Sequence, residues 1–315
     1  MTYVLLAAGL VVLLGGGELL VRGAVGLAER LGVSPLVIGL TVVGFGTSMP
    51  ELVACIEAVL AGAPGIAIGN VVGSNIANVL LILGVGAALR PLVTHRRSFQ
   101  RDGPVLLAAT VLLVALCQYE AIGREAGGIA VACLLAYLLY SYWAEGRLVA
   151  AGHSPSAEGD AAAIGGGSLP LALLATAIGI AGVLIGARLL VLSAIELARL
   201  WEVSEAVIGL TLVAIGTSLP ELATVAAAAW RNQGDVAFGN IVGSNIFNSL
   251  GIIGMTALVQ PIAVPAAIAR VDVWVMLGVA GILVVFAITG WRVSRSEGFA
   301  LLLAYAAYLT YLALA

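Results

Sequence analysis

Long apolar runs with almost no charge inside them dominate this sequence and limit what it can fold into. A helix needs about 20 apolar residues to cross a bilayer. Breaking the chain at its polar and Pro/Gly-rich stretches yields ten candidate spans, at about 2–29, 34–60, 66–89, 104–119, 125–144, 169–199, 204–230, 235–258, 271–289 and 297–314. Only 10% of the residues are charged and 62% are hydrophobic, whereas a soluble domain carries about 25% charged residues. In water such a chain would expose apolar patches and aggregate. The expectation is therefore an all-α, multi-pass membrane protein. Its first apolar run lacks the positive flank of a secretory signal and is too long for one, so it reads as the first span.

All 14 positive charges are arginine, and the net charge is −3. No basic cluster is dense enough to serve as a nucleic-acid surface. Cys55, Cys117 and Cys133 sit singly in apolar runs, without CxxC spacing or a neighbouring histidine, which argues against disulfide frameworks and zinc sites. Alternate loops on one side hold Arg30, Arg90, Arg96, Arg97, Arg101, Arg147, Arg231, Arg292 and Arg295; the other side holds Arg124, Arg199 and Arg270. The positive-inside rule makes the first set cytoplasmic. Both termini are then extracytoplasmic, in the cell (plasma or inner) membrane. The one long polar stretch, 146–168, contains His153, Glu158, Asp160 and Gly165–Gly167. It reads as a cytoplasmic linker between an N-terminal half (1–145) and a C-terminal half (169–315) of five spans each.

The two halves repeat each other. Gly39–Leu52 reads GLTVVGFGTSMPEL and Gly209–Leu222 reads GLTLVAIGTSLPEL, with ten of 14 positions identical at an offset of 170. Gly69–Asn78 (GNVVGSNIAN) and Gly239–Asn248 (GNIVGSNIFN) match at eight of ten positions at the same offset. The repeats, at about 39–89 and 209–258, lie on spans two–three and seven–eight. Matching spans are five crossings apart and so run in opposite directions. That is an inverted-topology repeat, the arrangement in which secondary transporters hold substrate at the midplane.

Glu51 and Glu221 sit mid-span, where a carboxylate costs roughly 2.5–3.5 kcal/mol on insertion scales. The sequence has no lysine, and no arginine lies within four residues of either glutamate. A bound cation, or a proton in its absence, is the expected compensator. Thr47 and Ser48 precede Glu51 by four and three residues, so helical spacing places all three on one face; Thr217, Ser218 and Glu221 repeat the pattern. Pro50 and Pro220 favour a kink that frees backbone carbonyls. Ser74 and Asn78, like Ser244 and Asn248, are four apart and point neutral oxygens along one face. This all-oxygen set suits hard cations such as Ca²⁺ and Na⁺, and two carboxylates match the charge of one Ca²⁺.

At these residues the chain resembles the sodium/calcium exchangers of the cation/calcium antiporter superfamily. Both G-T-S-[LM]-P-E blocks and both G-N-x-V-G-S-N-I-x-N blocks occur in order. The resemblance implies ion-coordinating roles for Glu51, Glu221, Thr47, Ser48, Thr217, Ser218, Ser74, Asn78, Ser244 and Asn248, with backbone oxygens near Gly44 and Ala214. It implies antiport of Na⁺ against Ca²⁺ by alternating access, with three Na⁺ per Ca²⁺ and hence net charge movement. Animal exchangers of the family carry calcium-sensing domains between the halves, and the linker here is too short for them. Potassium-dependent exchangers and several microbial relatives carry aspartate where this chain has Asn248; with two carboxylates and no third, K⁺-independent transport is expected.

Blander readings compete. The glutamates could be protonated structural carboxyls, and the hydroxyls could serve helix packing. Asn70, Asn75, Asn240 and Asn245 read as interhelical hydrogen-bond formers, Glu57 as remote from the site, and Glu18 with Arg22 as a structural pair. Arg188 occupies the position matching Glu18, and the sequence leaves its partner and that of Glu196 open. H⁺/Ca²⁺ antiport is the nearest alternative function and a passive cation channel a more distant one. No enzyme is expected, since neither His95 nor His153 lies in a span and no nucleophile–base set exists. No cofactor and no obligate protein partner are expected beyond the transported Ca²⁺ and Na⁺ and the lipid bilayer.

Overall fold

The computed structural model describes residues 2–30, 48–94, 96–150, 169–230 and 234–314. The first half contains α1 (Thr2–Arg30), α2 (Met49–Leu60), α3 (Pro64–Leu89), α4 (Arg96–Leu116) and α5 (Arg124–Ala150). The second contains α6 (Leu169–Leu200), α7 (Glu205–Thr217), α8 (Leu219–Trp230), α9 (residues 234–259), α10 (Ile268–Ile288) and α11 (Arg295–Leu314). Among the described residues, seven helices are long and apolar enough to cross a bilayer, and the bent pair α7–α8 makes an eighth.

Some boundaries depart from expectation. The span placed at 104–119 is helical from Arg96 to Leu116, with Pro104 accommodated inside α4 rather than starting it. Helix α5 continues to Ala150, past the expected boundary at 145; the rest of the linker, 151–168, lies outside the described residues. The chain is also not wholly helical. Two-residue strands β1 (Leu92–Val93), β2 (Ala121–Ile122), β3 (Ile262–Ala263) and β4 (Arg292–Val293) form antiparallel pairs, β1 with β4 and β2 with β3. These lie in loops where the helices' apolar periodicity has ended, so no span pattern announced them.

Burial sorts the helices into layers. The spans in α3 and α9 are each 83% buried, against 22–44% for those in α1, α4, α6, α10 and α11. The central pair is therefore α3 and α9, with α2 and α7 packed on α3 and α8 on α9. A Schellman-type turn brings α2 directly into α3: the Ala63 N–H donates to the Ala58 carbonyl, and Gly62 takes φ +76. Helices α3 and α7 meet at Gly69 and Gly209, where a Cβ on either would come within 3.1 Å of the other's Cα. Among the described residues, π-turns interrupt the helices at Asn78–Leu83 in α3, Gly209–Val213 in α7, Phe247–Ile252 in α9 and Ile268–Asp272 in α10.

Helices α1 and α6 form the tightest pairing. A Cβ on Gly9 would lie 2.8 Å from the Leu190 backbone nitrogen, and one on Gly16 2.6 Å from that of Val183. Partner numbers fall on α6 as they rise on α1, so the two helices are antiparallel. On the same helices, Arg22 and Glu18 form the expected ion pair at 2.6 Å, exposed on α1. Arg188 and Glu196 are exposed on α6.

The glycine contact gives a direct test of the packing. Gly16→Val is expected to destabilise the protein by about 1–3 kcal/mol, the usual cost of overpacking. It should lower the Tm of the detergent-purified protein measurably. Gly15→Val, one residue along and with nothing within 4 Å of its Cβ position, should leave Tm nearly unchanged. Equal effects from the two would contradict the backbone-to-backbone packing.

Candidate ion-binding site

Two prolines shape the site. Proline has no N–H to donate and its ring excludes the carbonyl four residues back, so a regular helix does not run through Pro50 or Pro220. Helix α2 begins at Met49, with Ser48 just before it at φ −92, ψ 6. In the second half α7 ends at Thr217, Ser218 sits at the break with φ −86, ψ 8, and α8 begins at Leu219. The axes of α7 and α8 differ by 45°. The expected kink is thus a 45° bend at Ser218, across which the Ser218 N–H still reaches the Ala214 carbonyl and the Leu222 N–H the Ser218 carbonyl. Its consequence went unread in the sequence: Glu51 and Glu221 each fall in the first turn of a new helix. There the unpaired N–H groups and the positive end of the helix dipole favour a carboxylate by about 0.3–2 kcal/mol.

The serines then cross between repeats. Ser48 Oγ donates to Glu221 Oε1 at 3.2 Å, and Ser218 Oγ donates to Glu51 Oε1 at 3.0 Å. Helical spacing had placed each serine beside its own glutamate. Because Ser48 and Ser218 sit at breaks rather than inside a helix, their side chains reach the opposite repeat instead. Both glutamates are 1% exposed. A hydrogen bond to a charged group contributes about 1.5–3 kcal/mol, comparable with the insertion cost of one carboxylate. Beyond these hydrogen bonds, the mutual repulsion of two nearby carboxylates still has to be met.

The helix α3–α9 core supplies the remaining oxygens. Ser218 Oγ also reaches Ser74 Oγ at 3.1 Å, tying Glu51, Ser218 and Ser74 into one chain. Asn78 and Asn248 lie on the π-turns of α3 and α9, buried. Asn78 Nδ2 donates to Asn245 Oδ1 at 2.9 Å and Asn248 Nδ2 to Asn75 Oδ1 at 3.1 Å, again crossing between repeats. The Oδ1 atoms of Asn78 and Asn248 and Oε2 of Glu51 are buried without a hydrogen-bond partner.

Other expected ligands are placed less directly. Thr217 Oγ1 lies 3.1 Å from Asn70 Oδ1 and 3.0 Å from the Val213 carbonyl, with its one hydrogen to donate to either. The Ala214 carbonyl accepts the Ser218 N–H at 3.1 Å. Ser244 Oγ donates to Asn240 Oδ1, one turn back on its own helix, at 3.3 Å. Asn240 and Ser244 are four apart and share a face of α9, which brings them together within the helix. Thr47 and Gly44 lie outside the described residues. Glu57 is half-buried, six residues beyond Glu51.

Asn70, Asn75 and Asn245 do bridge helices, and Asn70 Nδ2 also reaches the Glu51 carbonyl at 3.4 Å. Their closeness to the site was not foreseen, although all three stand in the duplicated block. Asp272 was not singled out either; it is buried at the start of α10 and accepts from Tyr308 Oη at 2.8 Å. Among the described residues no three His, Cys, Asp or Glu side chains converge. The site's chemistry is that of two carboxylates surrounded by neutral oxygens, a donor set for hard cations.

This geometry has known counterparts. The sequence profile of the family described as "Sodium/calcium exchanger protein" matches residues 1–144 and 171–314. The chain is 35% identical to Sodium/calcium exchanger MaX1 of Methanosarcina acetivorans, over 98% of both chains. It is 36% identical to Inner membrane protein YrbG of Escherichia coli, over 93% of this chain and 90% of that one. Among solved structures it is similar to the sodium-calcium exchanger NCX_Mj soaked with Na⁺ and Sr²⁺, at a TM-score of 0.66 and 31% identity, over 98% of this chain and 97% of that one. With a profile match across both halves and relatives aligned nearly end to end, this multi-pass membrane protein, a transporter rather than an enzyme, belongs to the sodium/calcium exchanger family.

Proposed function

We propose that the chain is a secondary active antiporter exchanging Na⁺ for Ca²⁺ by alternating access, electrogenically and without K⁺. The observation that carries this reading is the crossed pair of buried glutamates, each held by a serine of the other repeat. Neither half makes the site alone, so a rearrangement of one half against the other alters ion access. The ligands are Glu51, Glu221, Ser48, Ser218, Ser74, Asn78, Ser244 and Asn248, with Thr47, Thr217 and backbone oxygens near Gly44 and Ala214. No resident cofactor is needed; the ions are cargo.

The topology proposed is ten spans in two inverted five-span halves, 1–145 and 169–315, joined by a cytoplasmic linker, with both termini outside the cell membrane. Two observations support it. Helices α1 and α6, which hold the repeat-equivalent pairs Gly9/Gly179 and Gly16/Gly186, pack antiparallel. Strands β1 and β3, 170 residues apart, each pair with the other's non-equivalent neighbour, as a two-fold exchange of halves requires.

Charge arithmetic accounts for the coupling. Two ionised carboxylates make the Ca²⁺-loaded site neutral, whereas about three Na⁺, the number the family resemblance implies, leave it at +1. Voltage then acts on the Na⁺ leg of the cycle. Asn248 and Asn78 add oxygens but no third negative charge, so no K⁺ is required for balance.

Proteoliposomes loaded with Na⁺ and diluted into Na⁺-free medium should take up ⁴⁵Ca²⁺. Uptake driven only by a pH gradient would replace Na⁺ with H⁺, and uptake indifferent to either gradient would indicate a channel. An inside-positive potential should accelerate the Na⁺-driven uptake, and choline in place of K⁺ at fixed voltage should leave it unchanged. Voltage-independent uptake would show electroneutral coupling, and a strict K⁺ requirement would overturn the charge count.

Glu51→Gln and Glu221→Gln should each reduce exchange to background, because each leaves a divalent ion facing one carboxylate in a low-dielectric site. Folding should survive, since neutral Gln is cheaper to bury than Glu. Retained Ca²⁺ transport in either variant would remove that carboxylate from the site.

A further inference from the structure

We infer that Asn75 and Asn245 are positioning residues that decide which end of the Asn248 and Asn78 carboxamides faces the ion. This rests on the reading of Asn78 and Asn248 as ligands. A carboxamide is nearly symmetric in shape, so packing alone does not distinguish its oxygen from its nitrogen; hydrogen-bond partners do. The distinction matters beside a cation, because the oxygen attracts it and the NH₂ group repels it.

Each ligand asparagine spends its nitrogen on an asparagine of the other repeat. Asn78 Nδ2 donates to Asn245 Oδ1 at 2.9 Å, and Asn248 Nδ2 donates to Asn75 Oδ1 at 3.1 Å. The oxygens of Asn78 and Asn248 are left buried with no hydrogen-bond partner among the described residues. Asn75 is itself held in one sense. Its Nδ2 donates to Ser249 Oγ at 2.9 Å and reaches Met276 Sδ at 3.5 Å. A hydroxyl tolerates either end of an amide, but a thioether accepts and has nothing to donate. A reversed Asn75 would set its oxygen against the sulfur and its NH₂ against the NH₂ of Asn248. The orientation thus runs from Met276 and Ser249 through Asn75 to Asn248.

A carboxylate needs no such orientation, since both of its ends are oxygen. The test is therefore the Kd for Ca²⁺ of the purified full chain, by titration calorimetry, with Asn245→Leu compared in the native and Asn78→Asp backgrounds, and Asn75→Leu in the native and Asn248→Asp backgrounds. In the native background each Leu variant should weaken binding about tenfold, the scale of one lost charge-assisted contact. In the matching Asp background the same change should shift Kd by less than about twofold, or tighten binding by relieving repulsion between facing oxygens. An equal loss in both backgrounds would make Asn75 and Asn245 packing residues and overturn the inference. So would an unchanged Kd in the native background while Asn78→Leu and Asn248→Leu weaken binding. If Asn78→Leu and Asn248→Leu themselves leave Kd unchanged, the ligand reading fails and the inference falls with it. Should a Leu variant not fold, the Ala variant at the same position makes the same two-background comparison.

Discussion

Two carboxylates buried close together inside a bundle, Glu51 and Glu221, are the constraint around which this structure is arranged. Water is excluded from Glu51 and Glu221, so their charge must be met by the protein, by an ion or by a proton. The protein meets part of it. Each glutamate occupies the first turn of a helix that a proline forces to begin there, and each accepts a hydroxyl hydrogen from the opposite half. What remains is the repulsion between the two carboxylates, which a bound cation or a proton would relieve. On the proposed reading, the group that binds the ion is destabilised in its absence, which would tie the conformation of the protein to its cargo.

The crossing of contacts between halves recurs at every level of the fold. Ser48 and Ser218 exchange glutamates, Asn75 and Asn245 exchange asparagines, and the loop strands exchange partners. Close backbone approach of α3 and α7 at Gly69 and Gly209 lets side chains as short as Asn70 and Ser74 reach Thr217 and Ser218. The two sequence blocks that repeat at an offset of 170 supply both members of each serine, glutamate and asparagine pair. The halves are not identical in use: Ser74 joins the Ser218–Glu51 chain, whereas Ser244 turns to Asn240 on its own helix.

Much of this was legible in the sequence, for physical reasons. Bilayer thickness sets the length of an apolar run, so most helices were located to within a few residues. A glutamate inside such a run is expensive, so Glu51 and Glu221 announced themselves, and duplication separated Ser48, Asn78 and their partners from ordinary small packing residues. What failed was geometry beyond a single helix. Spacing of three or four residues holds only where the helix is continuous, and the breaks at Ser48 and Ser218 sent both serines across the site. The π-turns at Asn78–Leu83 and Phe247–Ile252 have no compositional signal, since they depend on how neighbouring helices pack. Asp272 escaped notice at the edge of its apolar run, where a carboxylate ordinarily reads as a loop residue.

The claim on which the rest depends is that the two halves share one ion site. Anomalous diffraction from crystals soaked with Sr²⁺, a heavier stand-in for Ca²⁺, tests it without reference to transport. A shared site places the principal anomalous peak between Glu51 and Glu221, with oxygens of both carboxylates in its coordination shell at about the 2.3–2.6 Å of Ca²⁺ or slightly beyond. A peak bound by one glutamate alone, or one confined to the surface, would contradict it.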